Sequence, residues 1–451
     1  MDTITEPARE VPVAADVELC VVGGSCTGVF AAVAAARLGL NVAILEANGF
    51  FGGVATGGLV NVWHSTFDTV GRRRIIAGLT AEVIERLAAR AACLDRGPHP
   101  DCSYRLNTAE LKIELDEMIA ESGVRPFLHA RFVRAAHRDG RASAAIIEDK
   151  SGRRAVRARV FIDATGDGDL IASMGLPYRK LPDLQPPTCC AHIHGLDGLA
   201  AANPSFDLAA AVFAERDAHA LPRGFLWASK VVGLETLRMV AGTRVPDTDC
   251  SDADELTRAE IEGRRQVRAM CDILRGCPGG RDVALAALPA YIGIRETNHA
   301  DCLHTLTEQE VLHGVRFDDA IANGSYRVDI HHSGRAGLTF RYLDGREDYV
   351  APGREPVRSR WRDETDENPT FYQIPYRSLV AREATNVLVA GRLIDADRGA
   401  YGAVRVMVNC NQTGQAAGAA AALAVRHGTN VAHVDPAELR RTLAGQGAVV
   451  I

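Results

Sequence analysis

Gly23-Gly24-Ser25-Cys26-Thr27-Gly28 stands between a short apolar run, Glu18–Val22 (ELCVV), and an alanine-rich stretch, Val29–Leu38. This order constrains the chain more than any other feature. The apolar run reads as a buried parallel strand, and the alanine-rich stretch as a helix that Gly39 ends. Asn41–Leu45 (NVAIL) reads as a second buried strand. A β-α-β order within 30 residues demands a parallel sheet with a right-handed crossover. In the loop, Gly23 permits the tight turn and Gly28 lets helix and strand approach closely. The first-turn N–H groups then face a pyrophosphate. Ser25 occupies the middle position where glycine is usual, and its hydroxyl is a possible phosphate donor. Glu46, 18 positions after Gly28, ends the second strand, where a carboxylate accepts hydrogen bonds from an adenosine ribose. These rules describe a dinucleotide and leave NAD and FAD both open.

Composition excludes several other classes. With 47% hydrophobic and 24% charged residues in 451, the chain has enough apolar surface for a large core. A net charge of -6 provides no field to recruit nucleic acid or anionic membrane; Arg72-Arg73-Arg74 reads as a solvated run. No stretch approaches the ~20 apolar residues of a membrane span. Residues 1–16 read as a flexible tail without a signal peptide's apolar stretch. The 11 cysteines include no CxxC pair and no zinc-type spacing, so reduced thiols, a cytoplasmic location and no metal are expected. Adjacent Cys189 and Cys190 read as two free thiols.

Further along, residues 75–92 look helical. Residues 107–122 form an amphipathic helix with Asn107 or Thr108 as cap. From 124 to 163, turn signals at Asp139-Gly140 and Ser151-Gly152 indicate a β-meander that rejoins the main sheet at Val160–Ala164. Residues 254–275 read as one long helix, 352–370 as an exposed connection, Asn386–Ala390 as a buried strand, and 411–426 as a small-residue helix suited to close packing. Three glycine features favour FAD over NAD. NGFFGGVATGG follows Glu46 at once, and a backbone so poor in side chains can lie along an extended cofactor. FIDATGDG (161–168) and VLVAGR (387–392) are two further strand-to-glycine turns.

The stretches GGSCTG, ILEANGFFGGVATGG, FIDATGDGD, YIGIRET, FYQIPYRSLV and NVLVAGR…RVMVNCNQTGQAAGAAAALA together resemble the FAD-dependent oxidoreductase family of glutathione-reductase-like flavoproteins. The resemblance runs from about 17 to about 426 and is weakest in the middle third. It implies an α/β fold: a Rossmann-like FAD-binding domain, built from 17–180 and 371–451, with an inserted α+β substrate domain at 181–370. It implies FAD contacts at Gly23, Gly24, Ser25, Cys26, Thr27 and Gly28, and at Glu46 and Ala47. Further contacts are expected at Gly52, Gly53, Ala55, Thr56 and Gly58, and at Phe132 and Val133. The remainder are Ala164, Thr165, Gly166, Asp169, Gly391, Arg392, Arg405, Thr413 and Gly414. The helix starting near Asn411 would aim its dipole, through Thr413 and Gly414, at the pyrimidine end of the flavin, with Arg405 as a cationic partner or a structural bridge.

Four residues are candidates for catalysis. His64 follows VNVW and is a base, a covalent flavin anchor or a polar core residue. Arg295, in YIGIRET, binds a substrate carboxylate or bridges to Glu296 or another acid. Relatives continue with more arginine where Asn298 and His299 stand here, which points to a different substrate. Tyr401, among small residues, reaches the ring face or simply packs. His192 and His194 alternate as on a strand but lack a third metal ligand. There is no second strand-glycine-helix fingerprint for NADPH, and no dithiol pair. The expected activity is transfer of a hydride equivalent from a small-molecule metabolite to FAD, by a dehydrogenase or oxidase. The alternatives are a flavin-dependent reductase of a double bond and a non-catalytic nucleotide-binding module. The sequence carries no signal of oligomeric state, and neither nucleic acid nor membrane is expected as a partner.

Overall fold

A computed structural model describes residues 2–99, 102–222, 225–351 and 354–451. The apolar runs around the glycine loop assemble as their pattern demands. Strand β1 (Val13–Val22) leads into helix α1 (Cys26–Arg37) and returns as β2 (Val42–Leu45), parallel to β1 with Leu19 opposite Val42. Helix α2 (Thr108–Glu121) is capped by the Asn107 side chain, which accepts from Ala109 N and Glu110 N. Strand β3 (Arg125–Phe127) adds in parallel beside β2.

The meander follows as β4 (Arg131–Arg138), β5 (Arg141–Asp149) and β6 (Gly152–Asp163), joined antiparallel. Its first turn holds Asp139 and Gly140 at φ +49° and +70°, the left-handed conformation that Asp-Gly hairpins favour. β6 also runs parallel to β1, with Val22 opposite Asp163.

A four-stranded antiparallel sheet comes next: β7 (Ala191–His194), β8 (Trp227–Val231), β9 (Leu234–Ala241) and β10 (Ala284–Ala287), in the order β8-β9-β7-β10. Helix α3 (Ala253–Gly276) packs on it through Val267, Met270 and Leu274, in an apolar core of its own. Strands β11 (Val328–His331), β12 (Leu338–Arg341), β13 (Arg346–Val350) and β14 (Val357–Arg360) form a separate antiparallel meander. Among the described residues, none of these strands joins the main sheet.

The chain re-enters the main sheet at β15 (Val387–Val389), parallel to the last residues of β6. Helix α4 (Met407–His427) then packs closely on α1. Its small residues explain the closeness: a Cβ on Gly414 would stand 2.1 Å from Thr27 O, and one on Gly418 2.1 Å from Ala31 O. No helix among the described residues is long and apolar enough to cross a membrane.

Three boundaries differ from expectation. Val13–Asp16 belong to β1 rather than to a tail, because they pair with Ala155–Arg157, a partner far away in sequence. α4 begins at Met407, not near Asn411. Within 352–370, Val357–Arg360 is an edge strand rather than a plain connection; all four residues are exposed, so no apolar period reveals it.

Candidate functional site

The carboxyl ends of β1, β2, β6 and β15 open on one edge of the sheet, and a groove of about 620 Å³ runs along it. Gly23 turns the chain at φ +105°, where a Cβ would stand 2.4 Å from Ala164 O; one on Gly28 would stand 1.9 Å from Gly23 O. The Ser25 side chain makes no cap bond, and the first intrahelical bond runs from Val29 N to Ser25 O at 2.9 Å. The N–H groups ahead of it bring the positive end of α1 to the groove wall. The second glycine loop folds against the first, with Gly52 N donating to Gly24 O at 2.8 Å. Glu46 is held by Gly24 N, 2.8 Å from its Oε2, and by the backbone and side-chain nitrogens of Asn48, each 2.7 Å from its Oε1. Each carboxylate oxygen has two lone pairs, so acceptor capacity remains.

At the turn after β6, buried Asp163 accepts from Thr165 N and Oγ1 and from Leu170 N and Ile171 N, fixing the loop that carries Thr165, Gly166 and Asp169. Desolvation by the groove wall, followed by the Asp163 and Asp167 carboxylates, pushes the Asp169 carboxyl up to about 7. At the far end, Arg392 pairs with Asp167 (3.1 Å) and Arg405 with Asp329 (3.2 Å). Arg392 Nη1, Arg405 Nε and both side-chain polar atoms of Asn411 are buried in this wall with no partner among the described protein residues. Buried polar groups require partners, so this wall suits a polar cofactor.

A second cavity of about 680 Å³ adjoins the groove, and Val54, Ile294, Arg392, Arg405 and Met407 line both. His64 and Arg295 line the second cavity, and the His64 ring lies 4.1 Å from that of Tyr326. Arg295 Nη1 donates to Pro186 O (2.6 Å) and Thr188 Oγ1 (2.7 Å). The buried Arg244 donates to the same Thr188 oxygen, at 2.7 Å, and its Nη2 lies 3.2 Å from His331 Nδ1. A guanidinium only donates, so His331 accepts at Nδ1 and carries its proton on Nε2, 3.4 Å from Asp329 Oδ1. Burial, then Arg295, holds His331 well below the usual histidine range. Burial pushes Arg244 down to about 10; burial, then Arg244 and Arg405, also lowers Arg295.

Of the expected cofactor contacts, 18 line the groove: Gly23–Thr27, Glu46, Ala47, Gly52, Gly53, Phe132, Val133, Ala164–Gly166, Asp169, Gly391, Arg392 and Arg405. Gly28, Ala55, Thr56 and Gly58 lie behind it; Thr56 Oγ1, for instance, donates to Phe51 O at 2.7 Å. Thr413 and Gly414 fall in the second turn of α4 rather than the first. Thr413 Oγ1 accepts from Gly391 N (2.9 Å), and Gly414 makes room for α1. Met407, Cys410 and Asn411 line the groove in their place.

Two catalytic candidates line neither cavity. His299, fully buried, bonds Glu296 Oε1 at 3.0 Å, and Arg295 bonds Pro186 and Thr188 rather than Glu296. Tyr401, fully buried, packs on His299 at 4.3 Å and donates to Arg295 O at 2.8 Å. His192 is buried and His194 exposed on β7, and all 11 cysteines are free. Among the described residues, no group of three His, Cys, Asp or Glu is placed to hold a metal. Thr188, Arg244, Asp329 and His331 were missed by sequence reasoning. The alternation VDIH, polar at every second residue of a strand, was the available signal for the last pair.

A glycine-turned groove at the carboxyl edge of a parallel sheet defines a dinucleotide-binding protein of the Rossmann class. The chain belongs to the FAD dependent oxidoreductase family, whose profile matches residues 18–443. It is an FAD-dependent enzyme, so a non-catalytic nucleotide-binding module is set aside. A comparison with curated proteins found no match. Among solved structures, the chain is similar to a geranylgeranyl bacteriochlorophyll reductase-like protein from Thermoplasma acidophilum, at 11% identity and TM-score 0.48, over 96% of this chain and 84% of that one. It is also similar to the p-nitrophenol 4-monooxygenase of Pseudomonas putida, at 11% identity and TM-score 0.45, over 95% and 85%.

Proposed function

We propose that the protein is a dehydrogenase or oxidase in which a small organic metabolite gives up a hydride equivalent to FAD. The observation that carries this reading is the meeting of the groove with the second cavity at Val54, Ile294, Arg392, Arg405 and Met407. In this reading the glycine loops and the start of α1 hold the pyrophosphate, and Glu46 holds the ribose. Thr165, Asp169, Gly391, Arg392, Arg405 and the first turn of α4 surround the reactive end. Bound FAD supplies two-electron redox chemistry. Arg392, Arg405 and the positive end of α4 favour negative charge at that end. His64 takes the substrate proton; His331 does not, since its Nδ1 accepts from Arg244 and its Nε2 already carries the proton. Tyr401 and His299 act as positioning residues behind Arg295.

The layout is proposed to be glutathione-reductase-like, with 17–180 and 371–451 as the FAD-binding body and 181–370 as the substrate body. The separate sheet and apolar core of residues 189–292 support that division, whereas Val328 and Ile330, within the second body, pack into the main core.

The test is anaerobic addition of small alcohols, hydroxy acids, amines and saturated acids to the FAD-loaded protein. Bleaching of the oxidised flavin bands by at least one donor is expected. If no donor bleaches them, while an unsaturated compound reoxidises the chemically reduced protein, the reaction runs the other way, as a double-bond reductase.

A further inference from the structure

The walls of the second cavity carry an excess of one charge. Among the described residues, seven arginines line it, including Arg105, Arg295, Arg327 and Arg405, against two carboxylates, Asp329 and Asp348. Arg405 pairs with Asp329 and Arg392 with Asp167. Arg295 makes no such pair among the described residues. Its guanidinium, and that of Arg244 just behind it, are bonded only to neutral acceptors: Thr188 Oγ1, Pro186 O, Thr243 O and His331 Nδ1. Among the described residues, no carboxylate oxygen lies within 4.0 Å of either. One hydroxyl, Thr188 Oγ1, accepts from both at 2.7 Å, so two like charges are held side by side in a partly desolvated wall.

Buried charges in proteins are normally paired, and arginine does not shed its proton to escape. A guanidinium pair with Asp329 nearby but no carboxylate bonded to it directly is therefore a receptor for an anion. A planar two-oxygen group fits the guanidinium fork bidentately. Arg295 also follows Ile294, which lines both cavities, so an anion there lies next to the junction. The apolar part of the wall includes Val60, Val62, Trp227, Leu338 and Phe340.

We propose that the substrate is a carboxylate on an apolar or aromatic body, with the carboxylate docked on Arg295 and the body against Trp227 and Phe340. This rests on the reading that the second cavity receives the substrate. It narrows that reading: an amine without an acidic group is repelled, which leaves oxidation of an organic acid.

The test is calorimetric titration of the FAD-loaded protein with phenylacetate, 2-phenylethanol and phenethylammonium, which share one apolar body and differ in head charge. Phenylacetate is expected to bind at least ~10-fold tighter than either of the others, and added KCl to weaken it alone. Arg295→Gln is expected to bring its affinity down to that of the alcohol with FAD content unchanged, and Arg138→Gln, at a 92% exposed side chain, to change nothing. Equal binding of alcohol or ammonium in the unmodified protein overturns the proposal, even if the Arg295 variant does not fold. Tighter binding of phenyl phosphate than of phenylacetate overturns the choice of carboxylate. Because the readout is binding, its failure is separable from that of the redox reading: flavin bleached by a neutral donor, with no carboxylate bound, sinks only this inference. Carboxylates that bind while no donor bleaches the flavin sink only the redox direction.

Discussion

Asp169 lines the FAD groove with its surface open to it, and desolvation by the groove wall with Asp163 and Asp167 pushes its carboxyl up to about 7. An unfolded aspartate titrates at about 3.9, so between these values the folded chain holds a proton that the unfolded chain has lost. The associated stability is present at low pH and is lost as pH rises through 7. The same titration adds a negative charge beside an anionic cofactor. FAD affinity is therefore expected to fall about 3- to 10-fold from pH 6 to pH 8, as a charge a few ångströms away implies at intermediate dielectric, and Asp169→Asn to flatten that slope. Fluorescence titration of the apoprotein checks this, and an unchanged slope in the variant refutes it. Asp169 was legible as a contact because it closes a glycine turn. Its proton affinity was not, since that depends on the wall and the carboxylates that folding brings beside it. That His299 and Tyr401 line neither cavity was not legible for a related reason. Polar side chains near functional motifs look alike in sequence whether they face a cavity or, like these two, satisfy each other's surroundings in the core.

The contact of β1 with α1 controls the loop between them. A Cβ on Gly28 would stand 1.9 Å from Gly23 O, so Gly28→Val must push the helix off the strand. The expected result is at least a ~10-fold loss of FAD per purified chain, read by absorbance; stoichiometric FAD in the variant would place the cofactor elsewhere. Such an element is readable because strand, turn and helix signals follow one another within a few residues. The start of α4 was not readable. Its N-cap is Val406, followed by Met407 and Val408, with none of the oxygen-bearing residues that announce a helix. Asn411 and Thr413, four to six residues on, look like the cap and are not. The packing of its small residues was legible, because Gly414 and Gly418 recur on one face.

At the scale of the whole molecule, the groove collects residues from β1, β2, β4, the turn after β6, α3 and the C-terminal segment. A ligand that bridges such distant segments binds only the folded state. At 100 times its dissociation constant, FAD is then worth about 2.7 kcal/mol, or ~3 °C in melting temperature for a chain of this length. A thermal scan of apoprotein with increasing FAD measures it. A melting temperature independent of FAD would mean that the cofactor does not hold these segments together.

The sequence by itself determined the β-α-β order, the parallel sheet, the glycine-lined edge and FAD as the cofactor. Each rests on short-range rules: buried strands are apolar runs, tight turns need glycine, and helix starts bind phosphate through their own backbone. Tertiary structure alone decided which side chains share the second cavity. Thr188, Arg295 and His331 line it and Arg244 stands behind them, up to 143 positions apart, and hydrophobic periodicity tells which face of an element is buried but not which element it meets. The loop at Gly23–Gly28 therefore speaks for the cofactor, and the arginines brought together by folding speak for the substrate.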